Sequence, residues 1–351
     1  MQSPIESPRG QLLSNYVLAR IVDMTPIDIG LFDYDRHNAV YIFLLNDDEH
    51  IYMRYGGREP ESGETYLNLD SLEIALRLGL QQHARYAEGQ LPPQPRPRPL
   101  FSADIPLLKE HEIDRGRCVE CHLIADYQAQ QGELDGSLDK LSAIYRSPDI
   151  KNLGIHLEIP KGVLVKEAVG AAVEAGVQAG DTLASIDGIP VLTFGDFLYH
   201  YDKTPRMAKT IDIGVKRGEQ DLALRVNLPE EWWRTDLYYR FWTVEPQLYF
   251  FAKPLTPDEK AANGLKPEGF ASRITEADPG AIPLRVHDLK EGDIIFAVNG
   301  VETDSFTHNA EVYMILNLTS GKEATVSIVR DGERMDRLIT PYRQYYRKQK
   351  S

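Results

Sequence analysis

The sequence predicts an α+β multidomain protein built from small antiparallel sheets and short helices. Three observations predict it: a run of strands, a hairpin and an amphipathic helix in residues 1–89, a proline-dense stretch at 90–106 that ends this run, and a second half in which one order of strands, turns and helix occurs twice. With 351 residues, 42% of them apolar, the chain exceeds what one core usually serves. The resulting divisions are 1–89, 90–147, 148–230, 231–244, 245–342 and 343–351.

In the first division, "YVLARIVDM" (16–24), "AVYIFLLNDD" (39–48) and "EHIYMRYGG" (49–57) read as strands, with "DIGLF" as a short helix between the first two. "NDDEH" joins the second and third as a hairpin turn. Asn68 or Asp70 then caps a helix that places Leu72, Ala75, Leu76 and Leu80 on one face. This order resembles the C-terminal half of a thioredoxin fold. The resemblance departs at the chemistry, since residues 1–89 contain no cysteine and His37-Asn38-Ala39 stands where that family places a cis proline. An active site of that kind would need a second chain to supply it.

"QLPPQPRPRPLFSADIP" (90–106) reads as a stiff, extended connector, because each proline fixes φ and removes a donor. It leads to "GRCVECHLIAD" (116–126), which holds both cysteines of the chain. Cys118-Val-Glu-Cys121-His122 fits the Cys-x-x-Cys-His signature of covalent haem c, with thioethers at Cys118 and Cys121 and iron on His122. On one helical turn, positions i and i+3 share a face and i+4 points at the metal. Gly116 breaks the chain ahead of the motif, so "VECHLIADYQAQQ" is expected to run as that helix. His156, Met207 and His111, with His200, are the candidate distal ligands; His37, His50, His83, His287 and His308 form no metal spacing and are expected at surfaces. Three rivals stay open: a zinc site short of a fourth ligand, a redox dithiol with Cys118 attacking and Cys121 resolving, and a plain disulfide or pair of buried thiols.

The repeat sets "VEAGVQAGDTLASIDGIPV" (173–191) against "VHDLKEGDIIFAVNGVET" (286–303), with Gly180-Asp181 and Asp187-Gly188 answering to Gly292-Asp293 and Asn299-Gly300. A Gly-Asp turn, an apolar strand and then Asp-Gly or Asn-Gly is a legible hairpin grammar. A strand lies upstream of each copy, and a helix-like stretch ("TFGDFLYHYD", "SFTHNAEVYMIL") and a closing hairpin lie downstream. Both copies, 148–230 and 245–342, resemble PDZ domains of the type found behind trypsin-like periplasmic proteases. That resemblance implies a groove holding a peptide C-terminus, with Leu153, Gly154 and Ile155 as its loop in the first copy. In the second copy Tyr249 replaces the glycine, which argues against close approach of a carboxylate. An aromatic bridge, "EEWWRTDLYYRFW" (230–242), joins the copies, a basic tail follows at 343–351, and no Gly-x-Ser-x-Gly elbow occurs.

Taken together, the resemblances give a partial thioredoxin-like α/β block, a short helical haem-c segment and two PDZ-like β-barrel domains. The whole order resembles the thioredoxin-like/PDZ (seleno)protein family of environmental bacteria, which implies an exported, periplasmic or otherwise extracytoplasmic protein. The expected function is electron transfer, or a haem-bearing subunit or scaffold of a larger complex, with protein partners docking at the first PDZ groove or the thioredoxin-like block. The alternatives are a haem-free adaptor binding protein C-termini and a thiol-disulfide oxidoreductase. A net charge of −14, from 39 Lys+Arg against 53 Asp+Glu, would repel nucleic acid and anionic lipid. No apolar run reaches the roughly 18 to 20 residues that span a bilayer.

Overall fold

The computed structural model describes residues 3–38, 40–59, 62–235, 244–277 and 288–341. Ala39, the 236–243 part of the aromatic bridge, His287 and the basic tail lie outside the described residues. The chain mixes helices with several small antiparallel sheets and forms two compact units, Met1–Tyr239 and Arg240–Ser351. Residues 1–89, 90–147 and 148–230, read from sequence as separate domains, all belong to the first unit. Among the described residues no helix is long and apolar enough to cross a membrane.

The first unit opens with α1 (Pro8–Leu13), a hairpin of β1 (Tyr41–Leu45) and β2 (Ile51–Gly56), and α2 (Leu69–Ala87). Asn68 caps α2, its side chain accepting from the backbone of Asp70 and Ser71. Alternation along β2 sends Met53 and Tyr55 into a core with Leu13, Leu44, Leu72, Ala75 and Leu76. Tyr52 and Arg54 face the other way, with Phe43 opposite Arg54 in the ladder. Residues 16–24, expected as a strand, form none. Val17, Leu18, Ile21 and Val22 are exposed, and among the described residues none of 17–22 makes a backbone hydrogen bond. β-propensity without a partner ladder leaves an extended chain. "DIGLF" closes only one turn, with Phe32 N donating to Asp28 O at 3.0 Å.

The proline stretch runs irregular and largely exposed, as its composition predicts. Gln94 uses its side chain on Ile51, its oxygen accepting from Ile51 N at 2.9 Å, so the connector lies along the outer edge of β2. Three helices follow: α3 (Pro106–His111), α4 (Cys121–Asp135) and α5 (Lys140–Ile144). α3 and α4 pack through Leu108, Ile124 and Tyr127, in a core that also takes Met24, Ile29, Ile105 and Val119.

The repeat is a repeat in three dimensions. Its first copy contains β3 (Ile155–Leu157), β4 (Val165–Ala168), α6 (Gly170–Glu174), β5 (Thr182–Ile186), β6 (Ile189–Pro190), α7 (Phe194–Tyr201), β7 (Thr210–Arg217) and β8 (Gln220–Asn227). Its second contains β9 (Phe250–Pro254), α8 (Pro257–Ala262), β10 (Ser272–Ala277), β11 (Ile294–Val298), α9 (Ala310–Asn317), β12 (Ala324–Arg330) and β13 (Glu333–Ile339). The second copy is one five-stranded sheet, β13-β12-β11-β10-β9. The first has the sheet β6-β5-β7-β8 beside the pair β3-β4, linked by bonds such as Leu183 N to Val163 O at 3.0 Å, so β8, β7, β5, β4 and β3 follow the same order. Even the polar anchors recur. Asp181 and Asp293, both buried at the Gly-Asp turns, take bidentate bonds from Arg217 (2.7 and 2.8 Å) and Arg330 (2.7 and 2.7 Å).

The aromatic bridge is core in its first part. Trp232 and Trp233 are buried in the first unit, against Tyr201 and Tyr145, and Asn152 donates to the carbonyls of Trp232 and Arg234 at 2.8 Å.

Candidate functional site

Both cysteines are free thiols, Cys118 exposed and Cys121 half-buried. The sequence places them within one helical turn; the structure does not. α4 begins at Cys121, and Glu120 ahead of it is extended (φ −90°, ψ 155°). The cause is tertiary: Val119 N donates to Asp23 Oδ1 at 3.3 Å and Val119 O accepts from Met24 N at 3.0 Å, so the residue between the cysteines is held extended. Cys118 therefore sits on a straight approach, while Cys121 occupies the first position of a 15-residue helix, where backbone N–H groups lack intrahelical partners.

Around Cys121 the chain gathers residues from far upstream. Tyr34 lies beside its sulfur; burial first, and then Cys121, push that hydroxyl up to about 12. Asp126, one turn into α4, is raised by burial, while His37 and His122 on either hand pull it back down. His37 Nδ1 is 3.3 Å from Asp35 Oδ1, and its side chain is only 14% exposed, so it is not the surface residue its sequence context predicts. His122 Nε2 is 2.8 Å from Glu120 and its Nδ1 4.0 Å from Asp126. Tyr34, His37 and Asp126 carry no motif. Only the fold brings Tyr34 and His37 to this segment, across a sequence separation like the 96 residues between Asp23 and Val119.

The residues expected to hold haem sit as follows. His122 Nε2, the expected iron ligand, faces Glu120, and the apolar neighbours Val119 and Ile124 are buried in the α3–α4 core instead of forming an open bed. The proposed distal ligands are scattered. His111 ends α3, stacked near Tyr127; His156 lies in β3 opposite Glu167; Met207 is exposed after α7; His200 lines a separate cavity. Among the described residues no group of three His, Cys, Asp or Glu side chains is placed to hold a metal ion.

The expected peptide loop is part of the core. Leu153 and Ile155 are fully buried, and Gly154, at φ +83°, accepts Val169 N at its carbonyl; an added Cβ would stand 1.9 Å from Val169 O. The neighbouring backbone thus suffices to require glycine there. Tyr249 adopts the same positive φ, +58°, just before β9, so a side chain is tolerated where the second copy lacks that crowding. In the second copy the start of α9 closes onto β9: Ala252 N donates to Glu311 and Ala252 O accepts from Asn309. In the first copy the start of α7 grips β2 instead. Asp196 accepts from Arg54 N at 2.8 Å and Thr193 Oγ1 donates to Arg54 O.

No family model matches the chain, and no curated protein matches it. Among solved structures, an HtrA-type protease with decapeptide aligns over 38% of this chain and 40% of its own, at 14% identity and a TM-score of 0.25. The alignment thus spans less than half of that protein, and at this TM-score it carries no argument.

Proposed function

We propose that the chain is a thiol-disulfide exchange protein acting on other polypeptides. The observation that carries this reading is the division of the pair: an exposed Cys118 ahead of α4, and a half-buried Cys121 at its start. The Cys118 thiolate attacks a substrate disulfide, forming a mixed disulfide and releasing one substrate thiolate. Cys121 then attacks Cys118 Sγ, its proton passing to a base, and releases the second substrate sulfur. The chain is left with a Cys118–Cys121 disulfide, which a dithiol reductant returns to two thiols. Cys121 is only half-buried, so solvent takes that proton. The exposed, unpaired backbone of 17–22, contiguous with the Asp23 and Met24 contacts to Val119, offers an extended polypeptide an edge.

The thioredoxin resemblance supports the same reading, because the segment ahead of the hairpin, 34–38, stands beside the dithiol-bearing helix of this same chain. The recurring strand order supports reading 148–230 and 245–342 as PDZ-like. Burial of Leu153 and Ile155 makes these copies packing modules in this proposal. Working outside the cytoplasm suits a chain whose only cysteines form a redox pair.

The test is reduction of a disulfide-bonded peptide. Cys118→Ser is expected to abolish turnover, and Cys121→Ser to accumulate a mixed disulfide visible by mass. Turnover that survives Cys118→Ser refutes the proposal. Covalent haem at Cys118, Cys121 and His122 is the second reading, favoured by the unbroken Cys-Val-Glu-Cys-His string. A Soret band with a haem adduct on the intact mass of native protein would establish it in place of the dithiol.

A further inference from the structure

Away from the thiols, the first unit contains a cavity of about 840 Å³ between β2, the end of α2, the proline connector and α7. Arg54 lines that cavity, and among the described residues its guanidinium makes no hydrogen bond or ion pair, although Asp196 is near enough for the two charges to attract. Arg54 is only 8% exposed, and its Nε is buried with no hydrogen-bond partner. Its guanidinium carbon lies over Tyr199, 3.7 Å from the ring centre, and 5.9 Å from the ring centre of Phe43. Asp196 also lines the cavity; its oxygens accept from the backbone N–H groups of Arg54, Leu192 and Thr193, and the Arg54 charge acts on it without a direct hydrogen bond from the guanidinium.

A buried, unpaired guanidinium is costly, and proteins keep one where something pairs with it. The surroundings say what would. Arg85 and Arg96 stand at the rim, Arg96 already paired with Glu49, while Lys203 Nζ lies 4.0 Å from the same Tyr199 ring. Lys203 is itself paired with Asp33 at 3.4 Å, which leaves Arg85, bonded only to Gln82, as the rim cation without an ion pair among the described residues. His200, beside Arg54 and Lys203 and partly buried, is pulled down to about 4, so at neutral pH it offers a neutral imidazole. Tyr52, Tyr199 and the prolines of the connector supply the apolar part of the wall, and His50, Gln82 and Gln94 add polar groups to it.

We infer that this cavity is a binding site for a small organic oxyanion: a carboxylate on a flat apolar body, its oxygens forked on Arg54 and its body against Tyr52, Tyr199 and the connector prolines. The planar guanidinium matches a carboxylate in two parallel bonds, and the ring faces take an apolar body. The cavity volume falls in the range of small-molecule sites.

Benzoate and inorganic phosphate are the probes, used on the full chain. The Arg54 Nε–H signal in a ¹H–¹⁵N spectrum should shift saturably with benzoate at millimolar concentration, and more weakly with phosphate, which lacks the apolar body. Arg54→Gln, with its fold checked by circular dichroism, should weaken benzoate about ten- to a hundredfold, the loss expected for a charge-assisted pair. Should that variant fail to fold, Arg85→Gln combined with Arg96→Gln should still weaken benzoate by a few fold, as lost rim charge predicts. The proposal is overturned by an Arg54 Nε–H signal that neither probe moves, by benzoate affinity unchanged in folded Arg54→Gln or in the rim double variant, or by phosphate binding tighter than benzoate.

Discussion

Two side chains of α7 are shifted by burial so that their contributions to stability run in opposite directions with pH. Burial pushes the Asp196 carboxyl up to about 6, above the ordinary 3.8, so the folded state holds a proton that the unfolded state releases; stability from this group is present at low pH and lost as pH rises through about 6. His200 does the reverse. Depressed from 6.5 to about 4 by burial and then by Arg54, it favours the fold above about 6.5, and that contribution is lost as pH falls towards about 4. In urea titrations across this window, the stability gap between wild type and Asp196→Asn should shrink with rising pH. The gap between wild type and His200→Gln should grow; parallel curves for either variant would contradict these surroundings. Gly154→Ala tests a backbone constraint of another kind. With Val169 O 1.9 Å from the new Cβ and φ at +83°, the substitution should cost more than about 1 kcal/mol in a urea melt.

At the scale of single elements, the start of α7 is the joint between the N-terminal hairpin and the repeat. Thr193 both caps the helix at Asp196 N and donates to Arg54 O. Thr193→Val should cost about 1–2 kcal/mol, the usual range for a lost cap, and should speed hydrogen exchange at the amide of Arg54. Unchanged protection there would show that Asp196 holds β2 unaided. Much at this scale was legible in the sequence. Asn68 announced α2, alternation announced β2, and Asp187-Gly188 and Asn299-Gly300 announced hairpin turns that the chain builds at φ +47° and +77°, and at +49° and +80°. Residues 16–24 misled because β-branched composition states a preference and names no partner. The start of α4 misled because Val119 is held by Asp23 and Met24, and no local signal marks that distant contact.

The whole molecule divides inside the stretch 231–244 that the sequence set apart as an aromatic bridge: packing ends the first unit at Tyr239, while the sequence boundaries at 89 and 147 fall within that unit. A fragment of residues 1–239 should therefore melt as one cooperative transition. A fragment ending at residue 230 should lose several kcal/mol of stability with Trp232 and Trp233, of the order found when large core side chains are deleted. Equal melting of the two fragments would place the tryptophans outside the core. The candidate thiol site was half legible for the same reason. Cys118 and Cys121 declared themselves by spacing, whereas Tyr34 and His37 reach this segment only after the chain has folded back. The grip of Thr193 and Asp196 on both backbone groups of Arg54 has one more outcome. Two ladders separated by more than a hundred residues share a single fastening, so heating should release them at the same temperature, with no stage at which the early hairpin has come apart while the later sheet stands.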